Sequence, residues 1–78
     1  SAADPEVQVA LRLRLGRVLS EELGKIPEAL AEFRAVYDDY PENTEALASL
    51  EVLYQKTEGW KELLEVYTRK LSLVSDPA

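Results

Sequence analysis

The side chains that could do chemistry in this chain are few and badly placed for it. Cysteine and histidine are both absent from the 78 residues. That removes thiolate ligands, the commonest metal ligand and the commonest general base. Two acidic pairs remain, Glu21-Glu22 and Asp38-Asp39. Adjacent residues on a helix point about 100° apart, and no calcium-loop glycine pattern follows either pair, so both read as solvated helix ends. Arg12, Arg14 and Arg17 gather three guanidinium groups on one stretch and suggest phosphate. The net charge of −6 argues against it, and the excess is even: five basic and eight acidic residues in 1–41, four and seven in 42–78. Such a surface repels phosphate backbones, so these arginines are expected to pair with glutamates, and nucleic acid is not an expected partner. With no nucleophile–base pair and no phosphate loop, no catalytic residue, cofactor or metal is expected, and the chain reads as a non-enzyme.

The remaining bounds are those of a small soluble domain. No apolar run approaches the roughly 18 residues that span a bilayer, and no basic-then-apolar segment suggests a leader. No membrane partner is expected, and a cytoplasmic setting is favoured. The 46% hydrophobic content suits a folded chain, and residues 1–78 make a single domain. A chain this short buries only roughly 60–65% of its unfolded surface, so its core is marginal.

Four helices are predicted, near 5–22, 27–39, 43–57 and 60–74. Asp4-Pro5 opens the first, with an acceptor for the free N–H groups of the first turn and a ring already fixed near helical φ. Val7, Leu11, Leu15, Val18 and Leu19 form its predicted core stripe, and Gly24 ends it. Leu11 to Leu15 also alternates with period two, but the helical pattern continues to Leu23 and no second strand exists to pair. The second helix starts at Pro27, carries Ile26, Leu30, Phe33, Tyr37 and Tyr40 on one face, and closes at Pro41. Asn43 or Thr44 caps the third, with Ala46, Leu47, Leu50, Leu53 and Tyr54 inward and Gly59 at its end. The fourth carries Trp60, Leu63, Leu64, Tyr67, Leu71 and Val74. All six aromatic residues fall at core spacing. Connections this short make neighbouring helices antiparallel.

The two halves repeat each other. Leu15 matches Leu50, Leu19 matches Tyr54 and Gly24 matches Gly59 at a lag of 35. Ile26 matches Trp60, Ala29 matches Leu63, Leu30 matches Leu64, Phe33 matches Tyr67 and Tyr37 matches Leu71 at a lag of 34. The extra residue is expected in the turn just after the glycine. The unit is a helix–turn–helix of about 34 residues, present twice, over about 5–41 and 42–76.

On these residues the chain resembles the tetratricopeptide repeat family. The pattern is carried by Leu15-Gly16, Leu19, Gly24, Ala29, Phe33 and Pro41 in the first unit, and by Leu47, Leu50, Tyr54, Gly59, Trp60 and Tyr67 in the second. The segment Trp60–Tyr67 is similar to segments of long bacterial repeat proteins. The resemblance implies an all-α fold, an α–α superhelix of two helix–turn–helix repeats with four antiparallel helices. It also implies that Gly16 and Ala29 allow close helix approach. The departures are Arg12 in a usually aromatic place, Glu51 and Leu63 in small-residue places, and Lys70 in the place of a small apolar residue that packs on the next repeat. Pro77 falls two residues later than the family spacing.

The same resemblance implies a protein-interaction scaffold whose first helices line a concave groove for a peptide or protein. The corresponding groove positions are Ala10, Leu13, Arg17, Ser20 and Glu21, then Glu45, Ala48, Val52, Gln55 and Lys56. Val9, Ala10 and Leu13 lie opposite the Leu11–Leu15–Val18 stripe, so that face either meets another repeat or binds a partner. Leu13 and Val52 are expected to project away from the core. The family's best-known ligand mode grips an acidic tail with Lys and Asn side chains. Here Leu13, Arg17, Ser49 and Val52 hold those places, and one cation does not make that grip. The alternative is an architectural segment or a self-association unit. Two repeats are fewer than the roughly three that usually suffice alone, so a homodimer with a concentration-dependent melting temperature is also expected. Finally, Asp4-Pro5 recurs as Asp76-Pro77 at a lag of 72, which reads as the cap of a further helix in a longer array.

Overall fold

The computed structural model describes residues 4–75; Asp76-Pro77, expected to cap a further helix, lies outside them. Among the described residues the regular structure is all helical, with no strand. α1 spans Pro5–Arg17 and runs into a π turn at Val18–Glu22. α2 spans Ile26–Asp39, α3 Thr44–Lys56 and α4 Trp60–Ser75. The starts are those the sequence announces. Asp4 Oδ1 accepts from the Glu6 N–H at 3.0 Å, Asn43 Oδ1 accepts from the Ala46 N–H at 2.9 Å, and prolines stand in the first turns of α1 and α2, where a missing N–H removes no bond.

Each helix packs on the next in chain order. The Cα extents are 35 × 33 × 15 Å, and about 35 Å is the width that four neighbouring helices 8–10 Å apart require. The row is staggered. Arg17 on α1 pairs with Glu45 on α3, across α2, while Arg34 on α2 pairs with Glu65 on α4 at 3.0 Å, across α3. Odd and even helices therefore share opposite faces.

The core is Leu13, Ala29, Phe33, Val36, Tyr37, Ala46, Leu47, Leu50, Leu53 and Val66. It corrects the predicted face of α1. Leu13 and Gly16 are buried, whereas Val7, Leu11, Leu15 and Val18 are exposed. Glycine is the reason. A Cβ built on Gly16 would stand 2.7 Å from two ring carbons of Phe33, so the face that carries Gly16 is the one α2 can approach. The leucine stripe has more apolar bulk but no such gap. A second correction concerns the aromatics: Phe33 and Tyr37 are buried, Tyr54 partly so, and Tyr40, Trp60 and Tyr67 are exposed. On α4 only Leu63 of the predicted stripe is buried, joined by Val66.

The repeat also closes differently from the sequence alignment. The Leu23 N–H donates to the Val18 carbonyl at 3.1 Å, and the Lys25 N–H to the Leu19 carbonyl at 2.7 Å, with Gly24 at φ 65°. In the second unit the left-handed residue is Glu58, at φ 60°, not Gly59. Gly24 and Glu58 are 34 apart, so the lag has already changed before the turn. A π turn is a helix with one residue inserted. The extra residue of the first unit therefore sits at Val18–Glu22 and not after the glycine.

Candidate protein-binding cleft

Ala10, Leu13, Arg17 and Ser20 follow helical steps of three and four along the α1 side, and Glu45, Ala48, Val52 and Lys56 do so along α3. Because α1 and α3 share a face, these two rows look at each other across α2. They line two adjoining depressions. The first, about 450 Å³, is bounded by Ala10, Leu13, Arg17 and Glu45. The second, about 500 Å³, takes in Ser20, Glu21, Glu45, Ala48, Val52 and Lys56, with Phe33 of α2 also in its wall. The Arg17–Glu45 ion pair stands between them, and the Ser20 hydroxyl donates to the Arg17 carbonyl at 3.3 Å beside it.

Two predicted positions differ from the rest. Gln55 lines neither depression; its side-chain amide donates to the Tyr67 hydroxyl at 2.8 Å, tying α3 to α4. Leu13 belongs to the core, being 6% exposed, and reaches the first depression as part of its wall. The expectation that Leu13 projects away from the core is therefore incorrect. Ala10, Glu45, Ala48, Val52 and Lys56 are exposed, and Arg17 and Ser20 partly so.

Sequence reasoning missed the near end of the first depression. Tyr40, Glu42 and Asn43 at the α2–α3 turn close it, together with Pro5, Glu6 and Val9. Tyr40 was visible as the last member of the Ile26–Tyr40 stripe. The π turn was missed too, although the lag shift from 35 to 34 is its trace in the sequence. It matters here because one inserted residue re-aims Ser20 and Glu21, which edge the second depression.

Carboxylates outnumber cations along the cleft. Glu6, Glu42 and Glu45 border the first depression with Arg17 the one cation among its lining residues, and Arg17 already pairs with Glu45. The expected pairing of arginines with glutamates also holds for Arg12, whose Nη1 lies 3.2 Å from Glu32 Oε1. No group of residues that could hold a metal is found among the described residues, and no described helix is long and apolar enough to cross a membrane. No family model matches the chain, and no curated protein or solved structure matches it.

Proposed function

We propose that this chain is a tetratricopeptide-type protein-interaction scaffold that binds an extended peptide or protein segment along the α1–α3 cleft, without catalysis. The observation that carries the reading is the convergence of the two rows: nine residues named by resemblance, Ala10, Leu13, Arg17, Ser20, Glu21, Glu45, Ala48, Val52 and Lys56, line two depressions that adjoin on one face. The occupant is a segment with an apolar side chain flanked by basic ones. Val9, Ala10, Leu13 and Tyr40 give the first depression an apolar wall, and Glu6 and Glu42 give it an acidic edge. An acidic tail would meet carboxylates with the one local arginine already paired.

Selection of peptides from a random display library on the wild-type chain tests this. The recovered peptides should combine apolar and basic residues, and Ala10→Lys and Val52→Lys should each weaken their binding at least tenfold with helicity unchanged. Peptides indifferent to both substitutions, or rich in Asp and Glu, would rule the cleft out as the site.

A further inference from the structure

Two apolar stripes remain uncovered, one at each end of the helix row. On α1 the stripe is Val7, Leu11, Leu15 and Val18; on α4 it is Trp60, Leu64, Tyr67, Leu71 and Val74. None of these residues lines the α1–α3 cleft. The internal repeat says what each stripe corresponds to. At a lag of 35, Leu11, Leu15 and Val18 match Ala46, Leu50 and Leu53 of α3. The first three are 61%, 47% and 42% exposed; their counterparts are 0%, 0% and 5% exposed. At a lag of 34, Leu64, Tyr67 and Leu71 match Leu30, Phe33 and Tyr37 of α2. Again the α4 residues are exposed, whereas Phe33 and Tyr37 are buried and Leu30 packs against the core.

Each exposed stripe is thus the counterpart of residues covered in the middle of the molecule, the α4 stripe of residues on α2 and the α1 stripe of residues on α3. Within the chain α2 packs on α3. We infer that copies of this chain stack head to tail, with α4 of one copy against α1 of the next, repeating the α2–α3 packing between molecules. The two surfaces are different, so the contact is heterologous and each copy keeps one free end for a further copy. A hollow of about 360 Å³ beside Leu11 and Leu15, bordered by Gln8, Arg12 and Glu32, gives the large α4 side chains a place to seat. One helix on one helix is at the small end of specific interfaces, which run upward from about 1,200 Å² of buried surface, so stacking is weak and concentration-dependent. It rests on the repeat and the exposed stripes, and is independent of what the cleft binds.

The test uses two blocked chains, Leu11→Glu with Leu15→Glu, and Leu64→Glu with Leu71→Glu, in sedimentation velocity over a wide concentration range. Wild-type chain should grow past the dimer as concentration rises. Each blocked chain alone should be a monomer, and an equal mixture of the two should form a one-to-one dimer and nothing larger. Circular dichroism checks that both are helical; if either glutamate pair unfolds the chain, serine at the same positions removes the apolar surface without a charge and carries the same expectation. A blocked chain that dimerises alone would show like faces pairing and overturn head-to-tail stacking. So would a wild-type monomer at every concentration, or a mixture that stays monomeric. Val52→Lys should leave stacking unchanged, which separates this result from the fate of the cleft.

Discussion

Replacing Gly16 by alanine sets two effects against each other. Alanine in a helix interior is favoured over glycine by about 1 kcal/mol. Against that, the new methyl would press on the Phe33 ring, and overpacking a filled core costs about 1–3 kcal/mol. Phe33 is 1% exposed and has little room to give, so the net expectation is destabilisation by about 1–2 kcal/mol, read as a lower urea midpoint; a higher midpoint would mean that the ring yields. Leu13→Glu should be far worse, because it empties a core position and buries a carboxylate, a loss of about 3–5 kcal/mol that a marginal domain will not survive folded. Val52→Lys, on an exposed position of α3, should stay within about 0.5 kcal/mol of wild type. The contrast between these two checks the corrected assignment of Leu13. Glu58 is the reverse case. Its φ of 60° penalises a residue with a Cβ by about 1–2 kcal/mol, so Glu58→Gly should stabilise the chain, with part of the gain returned as unfolded-state entropy.

At the scale of elements, the second unit is not a copy of the first, and the difference is self-consistent. Where α1 has Gly16, α3 has Glu51; where α2 has Val36, α4 has Lys70. Glu51 and Lys70 form an ion pair with each other, so two departures from the repeat pattern meet across one joint. With no glycine gap in α3, Tyr67 does not enter as Phe33 does, and it lies outward with its hydroxyl on Gln55. Exposed or half-exposed ion pairs contribute about 0–1 kcal/mol, and matched apolar replacements are often neutral or better. Glu51→Ala combined with Lys70→Val should therefore match or exceed wild-type stability, while Lys70→Ala alone should cost at most about 1 kcal/mol; a large loss in the double variant would show the pair to be essential to the joint. Arg34 holds the other side together, stacked over Tyr37 at 5.1 Å and bonded to Glu65. Burial alone would lower its pKa, but hydrogen bonds to Glu65 and Tyr54 push it up, so the guanidinium keeps its charge. Helix existence and ends were legible because prolines, Asp4 and Asn43 act locally. Which face of α1 is buried was not, because apolar spacing cannot tell a core stripe from an end stripe in a row of repeats; only the small residue, Gly16, marks the close approach. Most of the residues that line the two depressions were named through the family resemblance, which carries first-helix positions over one by one. The Tyr40 end of the cleft and the π turn depend on how the connections fold in space.

For the whole molecule, the uncovered stripes and the net charge pull in opposite directions. Each chain carries −6, and bringing two together raises the repulsion between them. The stripes themselves are apolar on both sides, so the attraction owes little to ion pairs. Added salt shortens the screening length from about 30 Å at 0.01 M to about 3 Å at 1 M, which removes the repulsion and leaves apolar burial intact. Association should therefore strengthen as sodium chloride rises. Because stacked copies bind only the folded state, the melting temperature should rise with protein concentration, and more steeply at high salt than at low. An interface held by complementary charges would show the opposite salt trend. The clearest reading comes from thermal melts across a hundredfold concentration range at about 0.02 M and 0.5 M salt, with the Leu64→Glu, Leu71→Glu chain beside the wild type. In that variant the concentration dependence should vanish at both salts, since it removes the α4 stripe and adds two further negative charges. A melting temperature that ignores concentration in the wild type, or one that falls as salt rises, would show that apolar stacking between these stripes does not stabilise the fold.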